Sequence, residues 1–203
     1  EDDLQNDWFR PFGVQRLRAA ARDGKVVAWS HRVAATSLKF RGDSDEAPDW
    51  MGLLDVDGFP AACVPNYRAE FVGMDFGLTR GWWRAPLPTF AAFATQCFVD
   101  EVAVALGRDP LELRLQMLGA PRDLPYRDHG GPTFNTGRLA AVLEEAARRI
   151  DYGRSRPKGR GVGLAVHFTF GGYSAHAMEV SASAEDWRIE YNTERPHSAL
   201  GNL

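Results

Sequence analysis

The chain has 203 residues, 44% hydrophobic and 25% charged, with 24 Lys and Arg against 27 Asp and Glu and a formal charge of -3. That length supports one large core or two small ones, and the lack of a basic excess argues against a nucleic-acid binder working by bulk electrostatics. An aromatic content of 11%, with 20 Gly and 12 Pro scattered without period, excludes a disordered or collagen-like chain. Two cysteines, Cys63 and Cys97, are too few for a disulfide scaffold, lack metal-ligand spacing and read as reduced thiols. The most apolar stretch, residues 85–99, is too short for a bilayer and carries two prolines and a Gln, so no membrane span is expected. The opening Glu1-Asp2-Asp3 shows no targeting leader.

Residues 14–34 read as a β-hairpin turning at Asp23-Gly24, with Val27, Trp29 and Val33 on one face of the second arm. Residues 36–65 lose periodicity, carry the acidic patch Asp43, Asp45, Glu46 and Asp49, and read as a long surface excursion. Residues 66–72 return to strand alternation, with Tyr67, Ala69 and Phe71 on one side. After a loop over 81–88, the spacing of Phe90, Phe93, Ala94, Cys97 and Phe98 predicts an amphipathic helix over 89–106, closed by Gly107. Asp109-Pro110-Leu111-Glu112 supplies an N-cap acceptor, a first-turn proline and a helical glutamate, so a short helix to Leu118 follows, stopped by Gly119 and Pro121. A third helix starts near Asn135 or Thr136, with Leu139, Val142, Leu143, Ala146 and Ile150 on its stripe. The basic run 154–160, broken by Pro157 and Gly159, reads as a connection between subdomains. Val162, Leu164, Val166, Phe168 and Phe170 then alternate up to a turn at Gly171-Gly172, and 173–182 forms the return arm. The whole predicts an α+β fold of hairpins and a mixed sheet with about three helices.

Among candidate chemical groups, Arg84 in Gly81-Trp82-Trp83-Arg84-Ala85-Pro86 stands out. A guanidinium on a loop ahead of a helix could grip an anionic or carbonyl-rich ligand through its fork; the alternative is a structural arginine stacked on tryptophan. A turn at Gly171-Gly172 would set His167 opposite His176, close enough to share a divalent metal, but a third ligand is not evident and a hydrogen-bonded pair serves equally. Cys97 falls on the apolar stripe of its helix and reads as a buried small hydrophobe. Asp100-Glu101 and Glu144-Glu145 diverge around their helices and read as solvated faces or cap partners. The glycines of 159–163 precede a strand, the wrong order for a phosphate-binding loop.

Four stretches in order carry a resemblance: Val64-Pro65-Asn66-Tyr67-Arg68-Ala69-Glu70-Phe71, then Gly81-Trp82-Trp83-Arg84-Ala85-Pro86, then Phe98-Val99-Asp100-Glu101-Val102-Ala103, then Gly107-Arg108-Asp109-Pro110-Leu111-Glu112-Leu113-Arg114. Together they resemble the molybdopterin-binding large subunit of the xanthine dehydrogenase/aldehyde oxidase family, in its isoquinoline 1-oxidoreductase beta-subunit form. Trp8-Phe9-Arg10-Pro11 and residues 161–180 extend the likeness to roughly 7–182. The resemblance implies hydroxylation of an N-heterocycle or aldehyde at a molybdenum centre, with oxygen from water, a molybdenum cytosine dinucleotide form of molybdopterin, and a small partner subunit carrying [2Fe-2S] clusters. It implies that Arg84 lies against the molybdopterin and that Trp83, Phe168 and Thr169 belong to the substrate pocket. Leu87 departs from the pattern, where the family often has glycine to let a loop approach the cofactor. The glycine-rich cofactor loops and the glutamate general base of that family have no counterpart in these residues. Such a base contributes about 10²–10⁴ in rate, so the chain by itself is expected to be inactive. The parent family occurs in cytoplasm and periplasm, which leaves compartment open.

Residues 185–201, including Asp186-Trp187-Arg188 and Tyr191-Asn192 with Arg195-Pro196-His197-Ser198, resemble the C-terminal end of insertion-sequence transposases with an integrase-like core, without that family's acidic triad. The expected organisation is a first molybdopterin-binding-domain fragment over 1–153, the start of a second over 154–182, and a transposase-like tail over 183–203 acquired by gene fusion. A non-catalytic interaction fragment and a DNA-associated fusion product are the competing readings.

Overall fold

The computed structural model describes residues 11–37, 53–74, 88–126 and 133–182. Strands β1 (Gly13–Arg22) and β2 (Lys25–Ala35) form the expected hairpin. Asp23 and Gly24 at its tip have φ of 53° and 69°, the left-handed pair that a two-residue turn matching strand twist requires. The inward face differs from expectation at one position. Ala20 faces Ala28 but Ala21 faces Val26, so Val27 is the extra residue of a β-bulge. The bulge resets the alternation, and Val26, Trp29, His31, Val33 and Ala35 point inward in place of Val27.

Strand β3 (Asn66–Gly73) lies parallel to β2, giving the order β1-β2-β3. Parallel neighbours need a crossover, and residues 36–65 provide it. Its described part is not a surface excursion: Leu53, Leu54, Phe59, Ala61 and Val64 are buried. A connection that must cross the sheet covers it, and Leu53 and Leu54 pack on Val33 and Ala35 with Phe71 and Phe90 beside them. The Tyr67 hydroxyl donates to the Asp55 carbonyl at 2.9 Å, fastening the crossover to β3.

Helices α1 (Pro88–Ala105), α2 (Pro110–Leu118) and α3 (Thr136–Arg149) follow the expected spans. Asp109 caps α2 by accepting from the amides of Leu111 (2.8 Å) and Glu112 (3.2 Å), and its second oxygen accepts from the Tyr152 hydroxyl at 3.2 Å. Asp109→Ala should cost about 1 kcal/mol and lower the melting midpoint by about 3 °C, measurable by thermal circular dichroism. Asn135 caps α3 by accepting from the Arg138 amide. That helix buries Leu139, Leu143 and Ala147, with Val142 and Ile150 half-buried at the flanks. Among the described residues no single helix is long and apolar enough to cross a membrane; α1 and α2 reach that length only together, bent by 107°.

The orientation of α1 corrects the sequence reading. Ala91, Thr95, Val99, Val102 and Ala103 face inward, whereas Phe93 is 75% exposed and Cys97 is also exposed. Small side chains let the helix approach the sheet closely, and Trp29 takes up the remaining space with Phe98 edge-on at 4.9 Å. The expected apolar stripe is therefore split, and half of it faces outward.

A short ladder of β4 (Asp123–Pro125) and β5 (Thr133–Asn135) precedes α3. Strands β6 (Arg160–Thr169) and β7 (Gly172–Ser181) then form an antiparallel hairpin. Its inner face, Leu164, Val166 and Phe168, joins Trp29, Leu113, Phe134, Leu139 and Leu143 in one core. The architecture is α+β, with mixed and antiparallel sheets and three helices among the described residues.

Candidate functional site

Arg84 and Trp83 lie outside the described residues. Phe168 and Thr169 end β6. Phe168 is 3% exposed and packs 4.6 Å from Tyr173, 4.7 Å from Tyr126 and 5.2 Å from Phe134. Tyr173 is held in turn: its hydroxyl accepts from the Asn135 amide at 2.9 Å, and the Arg138 guanidinium sits 4.6 Å over its ring. In the described structure Phe168 thus joins the hairpin to the start of α3. Thr169, half-buried, pairs with Gly172 at the turn.

The hairpin turns at Phe170-Gly171, with φ of 50° and 72°, one residue earlier than the glycine pair suggests. Every cross-strand pairing therefore moves by two. His167 faces Ser174, and His176 faces Ala165, so the two histidines are diagonal neighbours, not directly opposed. The aromatic pair Phe168–Tyr173 is gained in this register, and Phe170 is left 65% exposed in the turn. Burial pushes the His167 imidazole below its usual pKa and keeps it neutral, and its Nε2 has no hydrogen-bond partner among the described residues.

Behind this hairpin lies a buried polar network that the sequence reading missed. Arg114 on α2 is fully buried; its guanidinium donates to Asp100 Oδ1 (2.6 Å), Gln96 Oε1 (3.1 Å), the Gln96 carbonyl (3.0 Å) and the Pro110 carbonyl (3.1 Å). Gln96 Oε1 also accepts from the Val166 amide at 3.3 Å, on the edge of β6 away from β7. One arginine thereby links α1, α2 and β6, and Asp100 is its counter-charge, not simply a solvated carboxylate. A signal existed: an arginine inside the stripe of a short helix, among Leu113, Met117 and Leu118, needs internal acceptors.

The basic connection is also tied down. Arg154, Arg156 and Arg160 converge on Glu179 of β7. Arg156 additionally donates to the carbonyls of Ile150, Asp151, Tyr152 and Arg154, satisfying the end of α3.

Between α1 and the outer face of β6–β7 runs a groove of about 550 Å³, lined by Phe93, Gln96, Cys97, Asp100, Ala165, His167, Ser174, His176, Met178 and Val180. It is mostly apolar. Cys97 is exposed there, contrary to the expectation of a buried thiol, because the split stripe of α1 turns it outward. Among the described residues, no group of three or more His, Cys, Asp or Glu is placed to hold a metal ion. The groove presents mostly apolar surface, which does not match a charged cofactor such as molybdopterin.

A sequence comparison finds 29% identity over 184 residues to a membrane-bound aldehyde dehydrogenase [pyrroloquinoline-quinone] from Gluconacetobacter polyoxogenes, covering 81% of this chain and 23% of that protein. It finds 28% identity over 192 residues to isoquinoline 1-oxidoreductase subunit beta from Brevundimonas diminuta, covering 89% and 22%. The chain is similar in sequence to these oxidoreductases. It spans less than a quarter of the length of either. Solved aldehyde oxidoreductases of Desulfovibrio gigas (MOP) and Desulfovibrio desulfuricans ATCC 27774 superpose on 77% and 78% of this chain and 18% of theirs, at 20% identity and TM-scores of 0.45 and 0.47. The family model of the integrase core domain matches residues 172–203, so the end of the chain is similar to that domain. That match begins at the first residue of β7, which is nonetheless paired with β6 over all its length and packed on the shared core through Tyr173, Ala175 and Ala177.

Proposed function

We propose that the chain is a portion of the large subunit of a molybdenum hydroxylase acting on N-heterocycles or aldehydes, joined near Ser183 to an integrase-derived tail. These 203 residues by themselves do not turn over. The observation that carries this reading is the likeness to isoquinoline 1-oxidoreductase subunit beta along 89% of the chain but only 22% of that protein. The cofactor, when bound in such a subunit, supplies the oxidising centre. In this reading Arg84 would hold it through its guanidinium, and Trp83, Phe168 and Thr169 would belong to the wall of the substrate pocket once further chain completes it. A small [2Fe-2S] subunit is the electron-carrying partner.

The test is turnover by the purified chain, alone and co-expressed with a small iron–sulfur subunit, using isoquinoline or benzaldehyde with a dye acceptor. A parallel arm adds pyrroloquinoline quinone, the cofactor in the name of one relative. No dye reduction above the protein-free blank is expected in any arm. Steady turnover in the molybdenum arms would overturn the inactivity, and turnover only with the quinone would overturn the cofactor assignment.

A further inference from the structure

We propose that the outward face of the β1-β2-β3 sheet binds the phosphate group of a small organic phosphate, gripped by Arg18 and Arg68 from either side of Ser30. The strand register sets the side chains of this face in rows. Alternation sends Trp29, His31 and Val33 into the core, so Ser30 and Arg32 between them face outward. Arg18 of β1 and Arg68 of β3 flank Ser30 in one row, and Arg16 and Glu70 flank Arg32 in the next. On these two rows four arginines stand against a single carboxylate, in a chain whose formal charge is -3. Glu70 is engaged by Arg32 at 2.7 Å and by Arg68 at 2.8 Å. The side chains of Arg16, Arg18 and Ser30 have no hydrogen-bond or ion-pair partner among the described residues, so the positive charge of the face is not neutralised within it.

The face is also concave. A trough of about 500 Å³ is lined by Arg18 and Ala20 on β1, Ala28 and Ser30 on β2, and Asn66 and Arg68 on β3. Its low middle follows from the small side chains on the central strand, and its rim is fixed by Asn66, whose carboxamide donates to the Val27 carbonyl at 2.9 Å. Arg18 and Arg68 stand two strand spacings apart, roughly 10 Å, so an anion resting on Ser30 is within reach of both guanidiniums. A phosphate monoester carries about -1.5 to -2 charge at neutral pH and three terminal acceptor oxygens. These oxygens can take one fork from each flank and the Ser30 hydroxyl from below. A carboxylate has a smaller charge and two oxygens in one plane, and satisfies opposed flanks less well. The organic part of the ligand lies over Ala20 and Ala28, the adjoining row. On the other side the basic rows end at Val14, Ala34 and Val72, of which Val14 and Val72 are exposed. A basic band only two rows deep suits one phosphate group and not the repeating backbone of a nucleic acid.

The test is isothermal titration calorimetry of the full 203-residue chain with phenyl phosphate, benzoate and a short oligothymidylate, at neutral pH and equal ionic strength. Phenyl phosphate is expected to bind more tightly than benzoate, which shares its ring and differs in the anion. The double variant Arg18→Gln, Arg68→Gln should weaken phenyl phosphate by about tenfold or more, as the loss of charge-assisted hydrogen bonds does. Ser30→Ala should weaken it by about fivefold. Arg154→Gln, in the basic connection where Glu179 is already the partner, should change it by less than about twofold. No binding of phenyl phosphate by the parent, or equal binding by the parent and the double variant, would overturn the proposal. Benzoate binding as tightly as phenyl phosphate would overturn the choice of phosphate, and a loss in Arg154→Gln as large as in the double variant would show attraction to basic surface at large. Tighter binding of oligothymidylate would assign the face to a nucleic-acid backbone and overturn the proposal equally. Thermal circular dichroism identifies any variant that has not folded, and Ser30→Ala then decides independently of the double variant.

Discussion

Replacing Arg114 with alanine is expected to remove about 3–5 kcal/mol of stability, as breaking a buried charge network from one side does. The substitution removes the guanidinium from the Gln96 and Pro110 carbonyls and one of two donors from the Gln96 carboxamide oxygen, in a region where Arg114 has 0% exposure. Each lost bond to the charged guanidinium is replaced by no water in that buried region, and the space of the side chain is left empty. Asp100 is partly exposed, so water can take over its charge, and Asp100→Asn should cost about 1 kcal/mol. Arg114→Lys keeps the charge but presents one head instead of a fork, so it should recover less than half of the loss. Against a typical total of about 5–15 kcal/mol, that loss is a large fraction of the stability and should lower the urea midpoint markedly. Urea titration of the three variants measures the order, and an alanine variant within 1 kcal/mol of the parent would contradict the role assigned to the network.

The second large effect is a loss of stability in mild acid through His31. This side chain is 2% exposed on the inner face of β2, and its Nε2 lies 2.7 Å from Gln15 Oε1. The Gln15 amide nitrogen donates to the Phe90 carbonyl at 2.7 Å, which turns its oxygen toward His31 and makes Nε2 the protonated nitrogen of a neutral ring. Burial lowers the imidazole pKa from 6.5 to about 4. The unfolded chain therefore binds a proton between these two values that the folded chain refuses, so stability rises with pH across that window. It is fully present above pH 6.5 and is lost as pH falls through about 4, by roughly 3 kcal/mol in all. His31→Gln should flatten the curve of stability against pH over that interval. A parent curve already flat from pH 7 to 4 would count against a buried neutral His31.

Local turn and cap chemistry was legible in the sequence, because it is written in adjacent residues. Asp23-Gly24 marks a left-handed turn, Asp109 and Asn135 offer side-chain acceptors to the first amides of a helix, and the hairpin and helices begin where they stand. What neighbouring residues could not reveal was which side of an element meets the rest. Helix α1 is apolar around most of its circumference, so periodicity selected Phe93 and Cys97, while packing in the core with Trp29 selected Val99, Val102 and Ala103. In the β6–β7 hairpin two adjacent glycines offered a turn, but the pairing of Phe168 with Tyr173 set the register one residue earlier. The Arg114 network joins residues 18 apart in sequence across two helices, and its acceptors include backbone carbonyls that no side-chain pattern records. Of the candidate site, the resemblance supplied Arg84 and its neighbours, whereas the groove arose from the misjudged face of α1.

The most direct measurement is the molybdenum and pterin content of the folded chain. The 203-residue protein would be expressed in a host supplied with molybdate, purified, shown by circular dichroism to be folded, and analysed by elemental mass spectrometry with fluorescence detection of the oxidised pterin. The account predicts neither signal above the host background, because the chain aligns with less than a quarter of the oxidoreductases it resembles. Stoichiometric molybdenum travelling with pterin on the folded protein would contradict it.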